Sequence, residues 1–327
     1  MHQSPSCSFQ PQPPGNTSTN QLLPRLPASL RNIESIGNQN INLTPPGLTV
    51  VSTSNFQLQE GELGELIANV ALANYSYMRS EGDLKDYAPN WTLQKELANS
   101  LATKELTFNA ANGMLMDKSS GLVAYVFYNK NDKEIRVVFG GSSSGETAGE
   151  ILTRSWGNAV STSQQWINNI TNAIDNKMPR SYCQAAILTG RLINILNTDP
   201  RYEGFNVSTS GHSKGGGEAA YAAVMNYTEG KPIKAECFCS AKWGTATQKE
   251  VCRKLGTLDH AKKGTAKIRH YLIEGDVINT VQRWFSWLIH VGNNTTLQTN
   301  VSRKNAGAAR HVHFFEHVLS YSRGRIS

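Results

Sequence analysis

The chain predicts an α/β protein with a mostly parallel central sheet, helices on both faces and an unstructured N-terminal leader. Three observations carry this. Short β-branched and aromatic runs alternate with segments of helical periodicity. One strand-to-helix junction is a tight glycine-rich turn. The first 48 residues hold eight of the twelve prolines and only three charged side chains, Arg25, Arg31 and Glu34. Such a segment cannot bury enough apolar surface to fold. Residues 1–55 are therefore expected to form a disordered leader, and residues 56–327 a single folded domain.

The elements follow in order. From Glu60, the residues Leu63, Leu66, Ile67, Val70, Ala71 and Tyr75 recur at helical spacing behind a glutamate-rich first turn. A second helix is expected over Thr92–Thr103. Gly121–Tyr128 and Glu134–Phe139 read as a hairpin joined by Asn129–Asp132, and a flexible loop, Gly140–Gly145, follows. Helical periodicity returns over Gln165–Ile174 and Tyr182–Leu196, with Pro179 between them and Asp199-Pro200 closing the second. A strand at Phe205–Thr209 leads through a glycine-rich turn to a small-residue helix that begins near Gly215. Further strands are expected at Lys234–Ser240 and Lys267–Ile273, and a final helical segment at Phe314–Tyr321.

Composition narrows the classes. The 327 residues are 39% apolar and 17% charged, enough for a packed core, and no apolar run approaches 18 residues, so no membrane-spanning helix is expected. The net charge of +7 is uneven: Lys231–Ser327 holds 16 basic and 6 acidic residues. A basic final third can meet nucleic acid, anionic lipid or an acidic protein, and charge alone does not choose among them. Five cysteines, Cys7, Cys183, Cys237, Cys239 and Cys252, have neither zinc-ribbon spacing nor the density of a disulfide scaffold. Cys237 and Cys239 alternate in a strand, so both are expected on one face as small buried groups. The leader lacks a positive start and an apolar stretch. Its Ser/Asn/Gln/Pro-rich composition resembles the export leaders of bacterial type III effectors, and a plain tail fits it equally.

The chemistry centres on Gly211-His212-Ser213-Lys214-Gly215, a G-x-S-x-G turn between an apolar strand and a helix. Glycines two residues either side of the serine allow a sharp bend where a Cβ would strike the neighbouring elements. The bend lifts the hydroxyl above the sheet, and the start of the helix aims free amides at it. A phosphate-binding loop is the rival, but G-x-x-x-x-G-K-[ST] is absent, and Ser213 precedes Lys214 here.

Gly-His-Ser-Lys-Gly-Gly-Gly-Glu-Ala-Ala resembles the nucleophile elbow of class 3 lipases and related bacterial phospholipases of the α/β-hydrolase fold. Val137–Ser142 is similar to the strand and oxyanion loop of that family, and the element order matches over roughly Glu60–Tyr321. Lys214 stands where the family has an apolar residue, and Gly140 where it has an arginine. The lysine is expected to place a charge beside the nucleophile, which suits an anionic headgroup better than neutral triglyceride.

A serine hydroxyl needs an imidazole to take its proton and a carboxylate to orient the imidazole. The resemblance implies the order Ser, Asp, His. Asp276, after the strand His270–Ile273, is the expected acid, ahead of Glu274 and Asp259. Among His290, His311, His313 and His317, the base is expected at His311, with His313 next. His313 and His317 lie four apart and with His311 imitate a metal cluster, but no H-E-x-x-H accompanies them, and neither metal nor cofactor is expected. The oxyanion hole is assigned to the amides of Lys214 and, by resemblance, Ser142, with Ser143 and Gly141 as alternatives. His212 is expected to pack and hydrogen-bond beside the substrate. Trp284 and Trp287, in the aromatic run after the acid, are expected to line the acyl pocket or to be core.

The resemblance implies a secreted serine hydrolase of lipid esters, a phospholipase or lipase acting at membranes, with residues 56–327 as its catalytic domain. Its expected partners are a lipid or phospholipid substrate, an anionic membrane surface and a host protein, not nucleic acid. The alternative is a hydrolase scaffold that has lost catalysis and binds lipid or a host protein.

Overall fold

The computed structural model describes residues 60–141, 178–283, 285–297 and 314–319. All lie in one of the two compact units into which the chain divides, Leu43–Ser327; the other, Met1–Asn42, contains none of them. The leader and the helix expected at Gln165–Ile174 fall outside the described residues.

The chain runs through α1 (Glu60–Met78), α2 (Glu81–Tyr87), β1 (Trp91–Leu93), α3 (Lys95–Ser100), β2 (Thr107–Asn109), β3 (Met114–Asp117), β4 (Leu122–Asn129) and β5 (Glu134–Phe139). It continues through α4 (Arg180–Thr198), β6 (Asn206–His212), α5 (Lys214–Met225), β7 (Lys234–Phe238), α6 (Thr245–Leu255) and α7 (Leu258–Thr265). Then come β8 (Ile268–Ile273), α8 (Val277–Arg283), β9 (Asn293–Leu297) and a last helix, α9, at 314–319. Among the described residues the strands form a nine-stranded sheet in the order β2-β3-β4-β5-β6-β7-β8-β9, with β1 against β4. Pairing is antiparallel from β2 to β5 and parallel from β5 to β9. The change of sense has a local cause: tight turns link the first strands, whereas helices lie between the later ones, and parallel neighbours need such crossovers.

Both faces are covered, as the sequence predicts, and β4 shows the period of two. Leu122, Ala124 and Val126 join the core shared with α4 and α5, while Val123, Tyr125 and Phe127 join the core shared with α1 and α9. This is a mostly parallel, α/β-hydrolase-like sheet.

Three expectations change. The helix expected over Thr92–Thr103 is split, because Trp91–Leu93 pair with Phe127–Asn129 and only Lys95–Ser100 remain helical. The strand expected at Phe205–Thr209 starts one residue later and runs on to His212, so half of the glycine turn belongs to the strand. Cys237 and Cys239 do not share a face. The strand ends at Phe238, Cys239 takes φ 42°, and the two residues join opposite cores.

Candidate active site

The parallel strands β6, β7 and β8 end side by side, and the candidate residues sit just beyond those ends. Ser213 follows β6 with φ 58° and ψ −124°, a left-sided conformation costly for a residue with a Cβ and tolerated where surrounding bonds enforce it. Those bonds are visible. The Ser213 N–H donates to Phe238 O at 3.0 Å, and Ser213 O accepts from Ala241 N at 2.9 Å and from Gly216 N at 3.1 Å. The flanking glycines are required by close approach. A Cβ on Gly215 would lie 2.7 Å from the Phe139 carbonyl carbon and closer still to its oxygen; one on Gly211 would run into Gly215 and lie 2.7 Å from Phe139 O. Ser213 is 2% exposed, so in this conformation its hydroxyl does not face bulk solvent.

Lys214 opens α5, so its backbone N–H is among the first-turn amides that have no acceptor one turn earlier in the helix. Its side chain corrects the electrostatic expectation. Nζ donates to Glu218 Oε1 and to Gly121 O, both at 2.8 Å, and Glu218 is fully buried. The lysine head is thus engaged one turn along its own helix. Burial raises the Glu218 pKa, and the adjacent ammonium opposes that rise.

Asp276 lies beyond β8, after Gly275 at φ 77°, and is 0% exposed. Its Oδ1 accepts from Asn279 N at 2.9 Å, which caps α8. The carboxylate also bonds the thiol of Cys239, which burial and this negative charge together hold protonated, well above its ordinary range. Cys239 directly follows Phe238, the residue whose carbonyl binds Ser213. One short segment at the end of β7 therefore touches both the candidate nucleophile and the candidate acid. Glu274, by contrast, is exposed.

His212 is buried and packs between two helices. Its Nδ1 lies 2.8 Å from the hydroxyl of Tyr77 in α1. Its ring stacks on Phe314 of α9 at 3.8 Å with 9° between the planes. The Tyr77 oxygen also accepts from Gly141 N–H, so one hydroxyl joins His212 Nδ1 to the Gly141 amide. Burial is the main cause that raises the Tyr77 pKa, and it stays a phenol. The Gly141 amide, an alternative oxyanion donor, is engaged by this tyrosine. Ser142, Ser143, Trp284, His311 and His313 lie outside the described residues. His317 is buried in α9. Trp287 is half-buried, edge-on to Phe285 at 5.1 Å, and its carbonyl accepts from Gln248 Nε2 at 2.6 Å.

His290 has a different task from the one considered for it. It stacks on His270 at 4.3 Å, and Ser240 lies between them. His270 Nε2 donates to Val291 O at 2.8 Å and Nδ1 accepts from Ser240 Oγ at 2.6 Å, while His290 Nε2 donates to Ser240 O at 2.9 Å. These partners fix both rings as neutral Nε2–H tautomers. Burial lowers the His270 pKa to about 4 and that of His290 well below its usual value. Sequence reading missed Tyr77, Cys239 and this pair because each contact joins residues distant along the chain. The Lys214–Glu218 pair carried a signal, since opposite charges four apart on a helix are neighbours.

A family model for Tle-like phospholipase domains matches residues 69–320. No curated protein sequence matches the chain. Solved structures similar to it include the Lip2 lipase of Yarrowia lipolytica (14% identity, 84% of this chain and 97% of that one, TM-score 0.47). Lipase II of Rhizopus niveus is similar at 12% identity over 73% and 82% of the two chains, TM-score 0.46. The triacylglyceride lipase of Rhizomucor miehei is similar at 14% identity over 73% and 82%, TM-score 0.45.

Proposed function

The chain belongs to the Tle-like phospholipase family, and from that premise we propose that it hydrolyses acyl esters of phospholipids through Ser213, His311 and Asp276. Ser213 attacks the ester carbonyl, and His311 takes its proton and returns it to the leaving alcohol. Asp276 orients the imidazole. The amides of Lys214 and Ser142 hold the oxyanion, and water then releases the fatty acid from the acyl-enzyme.

One observation carries the reading. Phe314 stacks on His212, the residue before the nucleophile, and lies 6.1 Å from Phe238, the residue before Cys239. His311 is three residues before Phe314, a tether of at most about 11 Å, which supports its assignment as the base beside the segment that touches both Ser213 and Asp276. His313 is equally tethered and is the runner-up. Because Lys214 is paired with Glu218, any preference for anionic lipid rests on the basic final third, which also supports contact with an anionic membrane or with an acidic host protein. Residues 1–55 are read as an export leader and 56–327 as the catalytic domain, so the reading includes secretion. Among the described residues no helix is long and apolar enough to cross a membrane. The 2% exposure of Ser213 requires its cover to move when lipid binds; it is also the observation that favours the second reading, a lapsed scaffold.

Fluorophosphonate labelling separates the two: wild-type protein labels in the presence of phospholipid micelles and Ser213→Ala does not, whereas folded wild type that stays unlabelled establishes the scaffold. Lipid extracts incubated with each protein and profiled by mass spectrometry then identify the ester cleaved. His311→Ala is expected to lose several powers of ten in turnover and His313→Ala little; the reverse result transfers the role.

A further inference from the structure

At the far end of the sheet from Ser213, where the parallel strands begin, a cavity of about 430 Å³ opens between α1, the segment leading into β1, and the starts of β5 and β7. Ser208, which borders this region, lies five residues before Ser213, about 16 Å along a strand. Nothing in the proposed hydrolysis uses it.

The polarity of the cavity changes with depth. Its floor holds Asn69 and Arg136, each 1% exposed. The guanidinium lies 4.5 Å over the ring of Trp91, donates to Ser208 Oγ at 2.9 Å and to Glu134 Oε1 at 2.6 Å, and donates to Asn69 Oδ1. That last bond fixes the amide of Asn69: its oxygen faces Arg136, so the nitrogen must lie on the other side. Asn69 Nδ2 has no partner among the described residues, although leaving a buried donor without one is costly. Lys234, bonded to Glu65, adds a second cation. Towards the mouth stand three carboxylates: Glu65 is 42% exposed, Glu134 is 16% exposed and Asp132 is exposed. Each commits one oxygen within the protein, to Lys234, to Arg136 and Ser208, and to Asn129 respectively, which leaves the other for a ligand. Gly64 and Ala68, small residues on the same face of α1, leave the room.

A donor floor beneath an acidic mouth complements a molecule with both signs of charge. We propose that this cavity is a binding site for a small zwitterion, its anionic oxygen group received by Asn69 with Arg136 and Lys234 behind it, and its ammonium held among Glu65, Asp132 and Glu134. Free metabolites and aminophospholipid headgroups share this chemistry.

The test is calorimetric titration of the full-length protein with phosphoethanolamine and β-alanine, which differ in the anionic group, and with inorganic phosphate and ethanolamine as the separated halves. Saturable binding is expected for a zwitterion, with each half at least about tenfold weaker, because each half engages only one end of the site. Asn69→Asp keeps the acceptor for Arg136 and replaces the donor by a negative oxygen, so it is expected to abolish binding. Asp132→Asn, at the exposed mouth, is expected to weaken binding several-fold without threatening the fold, and decides the matter if Asn69→Asp does not fold. Sedimentation with phosphatidylcholine vesicles, with and without phosphatidylethanolamine, assigns the source: association that needs phosphatidylethanolamine and Asn69 marks a lipid headgroup, and its absence alongside calorimetric binding marks a soluble ligand. Heats of dilution alone for both zwitterions, or wild-type binding in the variants, would overturn the proposal and leave a water-filled cavity. Binding measured again in Ser213→Ala keeps this outcome independent of catalysis.

Discussion

The hydroxyl of Tyr77 serves two partners, accepting from Gly141 N–H just beyond β5 and hydrogen-bonding His212 Nδ1 before the nucleophile. It therefore fixes the distance between the loop assigned to the oxyanion hole and the serine bend. Gly141 makes this possible, since any Cβ there would collide with the tyrosine oxygen. Tyr77→Phe retains the ring packing against His212 and Phe314 and removes only the tie. We expect kcat on a phospholipid ester to fall about 10- to 100-fold with KM nearly unchanged, because the loss is felt where charge develops on the carbonyl oxygen. Equal loss in both parameters, or none, would give Tyr77 a packing role alone. This contact was invisible in the sequence: Tyr77 and His212 are 135 residues apart, and the periodicity of α1 marks its tyrosines only as apolar surface.

At the scale of elements, α5 can start where it does because Gly215 lets the helix touch the end of β5. Gly215→Ala is expected to destabilise the fold by about 1–3 kcal/mol through overpacking against backbone that cannot yield. A melting temperature within a degree of wild type would show that β5 gives way. The elements themselves were unevenly legible. The hairpin of β4 and β5, the long helices α1 and α4, and the run β6, bend, α5 could be read because each has its own periodicity or turn residues. The strands β1, β2, β3 and β9 could not, since runs of three to five residues are decided by the partner they pair with. Thr92 illustrates this: helical spacing claimed it, and pairing with Tyr128 took it into the sheet.

For the whole molecule, the stacked pair His270 and His290 ties stability to pH. Both rings are neutral in the folded protein, and His270 has its pKa depressed from 6.5 to about 4. Between those values the unfolded chain binds protons that the folded chain does not, so the stabilisation is complete above about pH 6.5 and is lost as pH falls towards 4. For His270 the full effect is roughly 3 kcal/mol. Thermal melting between pH 7 and 4 is expected to show the decline, and His270→Gln to flatten it. An unchanged slope in that variant would place the acid sensitivity elsewhere. A Cβ on Gly216 would lie only 2.6 Å from Cβ of Ser240, the residue between the two rings, so this pair sits against the first turn of α5.

The alternation of runs and the glycines around Ser213 mark strands, helices and a tight bend from local pattern alone, so the sequence determined the sheet type and the family-like site motif. Tertiary structure decided what those residues touch. Lys214 is paired with Glu218, Cys239 is turned onto Asp276, His290 is taken into a neutral stack, and α9 is brought to His212 by the ring of Phe314. Burial and charge pairing between distant segments are properties of the packed chain, and no local pattern encodes which partner a buried group will meet.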